Sequence, residues 1–384
     1  MKVICDRAVL LDAINLTTGV VTNRTPKPQL TCVKLVATND GGDSMLTIGA
    51  TDAEIAIRLT TANVQVDEPG EALIPAEKLR QIIAAEDREQ TLTLTTRDDE
   101  LEIRGQDAKF KVFGYPAGDF PKLPSESDAT GNNTFEIPAS ELGTLITRTS
   151  FATARENSRY AINGVLLKCD GKTIQMVATD GRRLAIAKTG AGSGASGVEA
   201  IGIIPTKALN LVGKLAANPD ENVRVAVTDN QAIFAFGDEA AGSSAILSTT
   251  LVEGAFPPYE DVVPKDQDKK ATFDRETLAS GVRRAALLTN EESRGVRLAF
   301  SSDGGGQLCL TSRAPEMGEA EVKVEMEAYD GESLEVGFNP VFITDALKVI
   351  EDSQIVFELK AGNKPGVLRS GQDFLYVVMP VSLN

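Results

Sequence analysis

Three stretches of this chain open alike, and that repetition limits its fold more than any other feature. MKVICDRAVLLDAI starts at Met1, TFEIPASELGTLI at Thr134 and TFDRETLASGVRRA at Thr272. Each reads as a short strand running into a helix. Core-facing residues recur at helical spacing: Leu10, Ala13, Ile14 and Thr17 in the first, Leu142, Leu145, Ile146 and Thr149 in the second. Each stretch is followed by a second strand–helix copy: EALIPAEKLRQII from Glu71, AIGIIPTKALNLV from Ala200 and LEVGFNPVFITDAL from Leu334. Pro75, Pro205 and Pro340 fall at the helix starts, where a missing N–H costs nothing. The expected apolar face is Ala208, Leu211, Val212 and Leu215 in one of these helices, and Ile343, Ala346, Leu347 and Ile350 in another. Alternating runs such as TLTLTT, LEIRG, VRVAV, AIFAF and VKVEM supply strands.

Two repeats end on proline motifs, DFPKLP at 119–124 and AFPPYEDVVP at 255–264, and the third ends on YVVMPVSL. The polar segments 125–133 and 265–271 read as linkers. The organisation expected is therefore α+β in three domains, 1–124, 133–264 and 271–384, each with two helices on antiparallel sheets and an internal pseudo-twofold repeat. Units this long and this few do not make a solenoid.

Composition removes several function classes. The 384 residues include no histidine and no tryptophan, and aromatics make up 5%. His-based triads and most zinc hydrolase sites are excluded, and a site built on many stacking aromatic faces is disfavoured. Cys5, Cys32, Cys169 and Cys309 form no CxxC pair and read as small buried hydrophobes. No cofactor and no metal is expected. No apolar run approaches a membrane span, and Asp6 and Arg7 interrupt the N-terminal stretch, so a cytoplasmic chain is expected.

A net charge of −16 speaks against DNA at first sight. The six helical windows 7–18, 75–86, 138–155, 205–217, 274–288 and 340–351 together carry +3, which leaves −19 on the rest of the chain. A mildly basic helical surface within an acidic body can hold DNA weakly and without sequence preference, while the exterior repels it. Candidate DNA-facing residues are Lys78, Arg80, Arg148, Arg155, Lys207, Lys214, Arg283 and Arg284.

Several runs then point the same way: RYAINGVLLK from Arg159, VATDGRRLA from Val177, FPPYEDVVP from Phe256, NEESRGVRL from Asn290 and YVVMP from Tyr376. Together, in order and with matching spacing from Met1 to Leu383, they resemble the bacterial sliding clamp, the β subunit of DNA polymerase III. The resemblance implies a non-catalytic processivity factor. In that family two protomers join head to tail as a homodimer, a six-domain ring that encircles double-stranded DNA. It implies dimer contacts at Phe110, Val112, Leu287 and Leu288. It implies DNA contacts at Arg24 and around Arg159 and Tyr160; Ala161 stands where some members carry a tyrosine. It implies a peptide cleft between the second and third domains, formed by Ile162, Thr179, Gly181, Arg182, Arg183, Leu184, Pro257, Val262, Val377, Met379, Pro380 and Val381. Short motifs from the polymerase III catalytic subunit, the clamp loader, other polymerases and repair factors would bind there. An apolar groove with a flexible methionine suits Leu and Phe anchors, and Gly181 with an exposed pair, Arg182 and Arg183, completes the expected rim. Arg182, Asp261 and Ser382 depart from the family's commoner residues, which bears on peptide preference. Arg182 could pair with Asp261.

Two features are decoys. Gly192, Gly194 and Gly197 spell GxGxxG, but the strand-like EAIGIIP follows where a dinucleotide site needs a helix. Asp52 and Asp180 recur in ATD contexts at equivalent positions of two repeats and read as turn residues. Two rivals remain: an enzyme binding nucleotide at the glycine loop, which deletion of 190–197 would abolish, and a scaffold that never encircles DNA.

Overall fold

The computed structural model describes residues 1–22, 25–131, 133–154, 161–238, 242–289, 295–302 and 306–382. The chain forms two compact units. One comprises 1–143, 169–172 and 191–251; the other comprises 144–168, 173–190 and 252–384. The six repeat helices are α1 (Arg7–Thr18), α2 (Ala76–Ala85), α3 (Ala139–Thr149), α4 (Thr206–Leu215), α5 (Arg275–Ala285) and α6 (Pro340–Val349).

Local chemistry sets the helix starts. The side chains of Asp6, Asp274 and Asn339 accept the backbone N–H of Val9, Thr277 and Val341, capping α1, α5 and α6. Pro340 lies in the first turn of α6, whereas Pro75 and Pro205 occupy the N-cap positions of α2 and α4. The buried face of α4 is Ala208, Leu209, Leu211 and Val212. Leu209 thus joins the core, and Leu215, expected there, is only half-buried at the helix end.

In the first unit a sheet runs in the order Val64–Glu68, Lys2–Asp6, Thr91–Arg97, Glu100–Arg104, Lys109–Phe113. A second sheet runs Thr134–Pro138, Asn222–Val227, Gln231–Asp238, Ser243–Thr250, Ile55–Thr61, Asp43–Thr51, Cys32–Asp40, Gly70–Pro75. Ser243–Thr250 and Ile55–Thr61 come from different repeats and pair antiparallel, so one sheet crosses the first repeat boundary. Helices α1 and α2 pack together, burying Leu10, Ile14, Leu79 and Ile83.

The second unit repeats the device. Its larger sheet continues through Thr173–Thr179, Arg183–Gly190, Phe374–Val378, Gly366–Ser370, Gln354–Leu359, Lys269–Asp274 and Ala328–Asp330. The pairing of Arg183–Gly190 with Phe374–Val378 joins the second and third repeats. A further sheet runs Gly318–Glu325, Gln307–Ala314, Val296–Ser301, Leu334–Phe338, and α5 packs on α6.

The polar segment 125–133 is more than a tether. Ser125 and Asp128 close a capping box on a short 3-10 turn, and fully buried Ala129 packs on Ala226, Ile233, Ala235 and Ile246. Strand Gln231–Asp238 is buried at five consecutive residues rather than alternately, because both its faces are covered. Among the described residues no helix is long and apolar enough to cross a membrane.

Candidate functional site

The region expected to bind peptides is built on one turn. Strands Thr173–Thr179 and Arg183–Gly190 pair as a hairpin in which Thr179 faces Leu184. Thr179 Oγ1 donates to the Arg183 carbonyl at 2.6 Å and accepts the Gly181 N–H at 3.1 Å. Asp180 Oδ1 accepts the N–H groups of Arg182 and Arg183 at 2.9 and 3.0 Å. The aspartate is therefore a turn residue, as its recurrence suggested. Gly181 holds a φ of +83°, a left-handed conformation that glycine adopts without strain.

The last strand docks on this hairpin. Arg183 faces Val378 and Leu184 faces Val377, and beyond the strand the Met379 N–H donates to the Arg182 carbonyl at 2.9 Å. Leu184, Val377, Ile162 and Thr179 are buried; Pro257, Pro380 and Val381 are half-buried. Met379 and Val262 remain 38% and 48% exposed. All of the expected cleft residues belong to the second compact unit, some buried and others at its surface.

The expected exposed arginine pair is corrected. Arg182 is exposed, and among the described residues no ion pair joins it to Asp261. Arg183 instead points inward, its side chain 10% exposed. Its Nε meets Asp180 Oδ2 at 3.0 Å, one terminal nitrogen meets Asp345 Oδ2 at 2.9 Å, and the other donates to the Phe151 carbonyl at 2.8 Å. The guanidinium lies over the rings of Phe342 and Phe151 at 4.6 and 5.4 Å. Buried Tyr376 donates to the Phe342 carbonyl at 2.9 Å. Burial pushes its phenol well above the ordinary value, while Arg183 pulls the other way.

The expected DNA-facing residues divide. Lys214, Arg283 and Arg284 are exposed in the last turns of α4 and α5. On α2, Arg80 is bidentate to Glu77 at 2.7 and 3.0 Å, and Lys78 meets Gln81 at 3.4 Å. Arg148 lies over the Phe374 ring at 5.7 Å, and its Nε is buried without a partner. Lys207 is tied down: its Nζ lies 2.6 Å from Asp52 Oδ2 and 2.9 Å from the Val20 carbonyl. Arg24, Arg155, Arg159 and Tyr160 lie outside the described residues.

At the expected dimer contacts, Leu287 is 76% exposed and Leu288 and Phe110 are half-buried, while Val112 is buried. Sequence reasoning missed Phe113, 73% exposed on the same strand, and Met317, exposed ahead of Gly318–Glu325. Lys109–Phe113 and Gly318–Glu325 each end a sheet with one edge unpaired. Strand alternation flagged the second segment through VKVEM, and the resemblance pointed to the first through Phe110 and Val112, but neither shows which strands finish without a neighbour. An open pocket of about 480 Å³ beside Pro380, Val381 and Ser382 is lined by Arg297, Glu335 and Asn363, also missed. These residues lie far from the C-terminal run in sequence.

The glycine loop is flanked by strands Arg183–Gly190 and Glu199–Pro205 and opens no helix. Cys5 and Cys32 are buried, and burial pushes their thiols up to about 12 and about 11. Carboxylate oxygens of Glu86, Glu89 and Asp107 lie within 4.8 Å of one another, the one such acidic group among the described residues.

Against known proteins, three family models tile the chain. The DNA polymerase III beta subunit N-terminal domain matches residues 1–124, its central domain 136–258 and its C-terminal domain 260–382. The chain belongs to the DNA polymerase III beta-subunit family, the bacterial sliding clamps. The beta sliding clamp of Pseudomonas aeruginosa is 33% identical over 379 residues, 98% of each chain. That of Caulobacter vibrioides is 33% identical over 389 residues, covering 99% of this chain and 100% of its own. The crystal structure of the Pseudomonas aeruginosa sliding clamp bound to griselimycin matches with a TM-score of 0.88 at 33% identity, all of both chains covered. A Caulobacter crescentus clamp with polyethylene glycol at its beta-motif tethering region matches with a TM-score of 0.85 at 32% identity, again over all of both chains.

As a sliding clamp the protein is a DNA-bound processivity subunit of DNA polymerase III and not an enzyme. Its three clamp domains are α+β, with helices laid on antiparallel sheets.

Proposed function

We propose that two copies of this clamp close head to tail around duplex DNA, and that partners dock by short peptides in a cleft between the second and third domains. The division at 1–124, 133–264 and 271–384 belongs to the same reading. The cleft comprises the floor of Ile162, Thr179, Leu184 and Val377, the rim of Gly181, Arg182, Pro257, Val262, Met379, Pro380 and Val381, and Arg183 beneath it. One observation carries it: Met379 stands exposed just past the strand in which buried Val377 faces buried Leu184, and an exposed methionine beside an apolar floor suits leucine and phenylalanine anchors. The polyethylene glycol at the beta-motif tethering region of the Caulobacter clamp supports a peptide site on this protein.

The repeat itself supports the dimer. Ile55–Thr61 pairs with Ser243–Thr250, and Arg183–Gly190 pairs with Phe374–Val378. By repeat position Gly318–Glu325 is the third strand of the first kind. Lys109–Phe113 is the third of the second kind, and both have an edge free. A second copy supplies each missing neighbour, and exposed Leu287 and Phe113 suit that contact. Lys78, Arg80, Arg148, Lys214, Arg283 and Arg284, with Arg24, Arg155, Arg159 and Tyr160, would face DNA. The clamp loader and repair factors are proposed partners alongside the polymerase, and the site of action is with the chromosome, in the cytoplasm.

The test is retention on DNA after loading by a clamp loader. The ring reading expects the protein to stay on closed circular DNA and to be lost on linearisation; equal loss from both templates sinks it. For the cleft, a fluorescent peptide with Leu and Phe anchors should bind, and Met379→Ala should weaken it without changing DNA retention.

A further inference from the structure

The two unpaired edges can be numbered against the first joint inside the chain from strand pairing alone. Pro75 and Asn339 hold the N-cap positions of α2 and α6, and the residues before them, Ile74 and Phe338, pair with Val33 and Val296. One strand further on, Leu35 pairs with Ile48 and Leu298 with Leu310. One more, and Ala50 pairs with Ile57 and Ser312 with Ala320. Ala320 therefore occupies the place of Ile57, and Met317 that of Glu54. On the other edge, Asp6 and Pro138 directly precede α1 and α3 and pair with Thr91 and Asn222. The tight turns after Arg97 and Thr228 then correspond, and Phe113 faces Glu100 as Thr250 faces Gln231. The next N–H agrees: Gly114 donates to the Asp99 carbonyl at 2.7 Å, and Leu251 to that of Asn230 at 2.9 Å. Phe113 therefore occupies the place of Thr250.

At the first joint Thr249, Ser248, Leu247 and Ile246 face Ile55, Ala56, Ile57 and Arg58, and the Thr250 N–H donates to the Glu54 carbonyl at 2.8 Å. We infer that two copies of the chain join in this same register, an inference that rests on the head-to-tail ring. Val112, Lys111, Phe110 and Lys109 then face the partner's Gly318, the partner's Glu319, the partner's Ala320 and the partner's Glu321. The Phe113 N–H donates to the carbonyl of the partner's Met317. Side chains play no part in that numbering, yet they match across it. Two lysines meet two glutamates, and exposed Phe113 meets exposed Met317. Lys111 and Lys109 also lie 3.3 and 2.8 Å from Glu100 and Glu102 of their own sheet, so each ammonium, with three donors, sits between two carboxylates. A slip of two residues loses the match. One direction sets Lys109 against Lys323 and Phe113 against Glu319; the other sets Lys111 against Met317. A slip of one turns Phe110 and Val112 to the opposite face. Backbone and side chains thus select one way of closing the ring.

The test is cross-linking of the full chain in a Cys309→Ser background, since the other three cysteines are buried. Lys111→Cys with Glu319→Cys places two thiols directly opposite, with Cα atoms about 5.5 Å apart, within disulfide range. Lys111→Cys with Glu321→Cys, and Lys109→Cys with Glu319→Cys, place them diagonally, at about 7 Å or more. Under mild oxidation the first variant should form covalent dimer on a non-reducing gel at least about tenfold faster than either of the others. A diagonal variant that cross-links as fast overturns the register. A dimeric parent chain whose first variant gives no cross-link overturns the register alone. A parent chain that sediments as a monomer brings down the ring reading as well. Charge exchange gives a second readout. Lys111→Glu should raise the dimer Kd about tenfold over the two joints of a ring, and adding Glu319→Lys should recover most of that loss. A double variant no tighter than Lys111→Glu alone overturns the pairing, because the lost contact with Glu100 is common to both.

Discussion

The turns Thr51–Ile55 and Thr179–Arg183 superpose bond for bond in their pattern, yet only one sits beside a proposed docking site. In both, a threonine hydroxyl spans the turn and an aspartate oxygen accepts two successive N–H groups. In both, the residue just past the neighbouring strand's inner pair donates to the turn: Thr250 to Glu54 at 2.8 Å, Met379 to Arg182 at 2.9 Å. What differs is the side chains hung on that frame. Ser248 faces Ala56 where Val377 faces Leu184, and Thr250 stands where Met379 stands. The first boundary is a polar joint. The second is a joint with an apolar surface added. Duplication preserved the hydrogen-bonded frame because the backbone demands it, and left the side chains free to diverge.

The largest test of this contrast is Arg183→Ala. It leaves Asp180 without its guanidinium partner and Asp345 with only the exposed Lys348 at 3.1 Å, and should destabilise the chain by about 3 kcal/mol in urea unfolding. Lys207→Ala, at a lysine 46% exposed, should cost under about 1 kcal/mol. Equal costs would erase the distinction between the two joints. Next comes the docking surface: Met379→Ala should weaken an anchored peptide about tenfold by anisotropy, and Thr250→Ala should leave it unchanged.

Third is a reciprocal pair. Ala53 carries a φ of +80° where its counterpart is Gly181 at +83°. Gly181→Ala should cost about 1 kcal/mol, from backbone conformation alone since no atom lies within 4 Å of the added Cβ, and Ala53→Gly should gain up to about that amount. The smallest effect is ionic. Raising salt should quicken amide exchange at 53–55, where the ion pair is half open, and leave 181–183 nearly untouched.

The helices and the turns were legible before the structure because both are local. Periodicity marks Leu142, Leu145 and Ile146, and the ATD spacing marks a turn, within a dozen residues. Arg183 was misread as exposed because everything that buries it is distant in the chain: Phe151, Phe342, Asp345 and Tyr376. The partners of Lys207, Asp52 and the Val20 carbonyl, are likewise too distant in the chain for a local pattern to show. Ala129 was hidden by its neighbours. A polar stretch reads as linker, and only the Ser125–Asp128 box turns one alanine onto the sheet. Hydrogen bonds from Ser125 hold the Asp128 carboxyl below its ordinary value. Its contribution to stability is therefore present above the unfolded carboxyl range and fades as pH falls through the lower folded value.

The two unpaired edges have a consequence for the chain before it assembles. An open strand edge is a template for any other strand, including its own copy on another molecule. Lys109 and Lys111 alternate along one edge, paired with Glu102 and Glu100, and Glu319, Glu321, Lys323 and Glu325 alternate along the other. Any strand that adds to either edge must accommodate these charges, so the side chains that line the open edges also guard the freshly made monomer against aggregation.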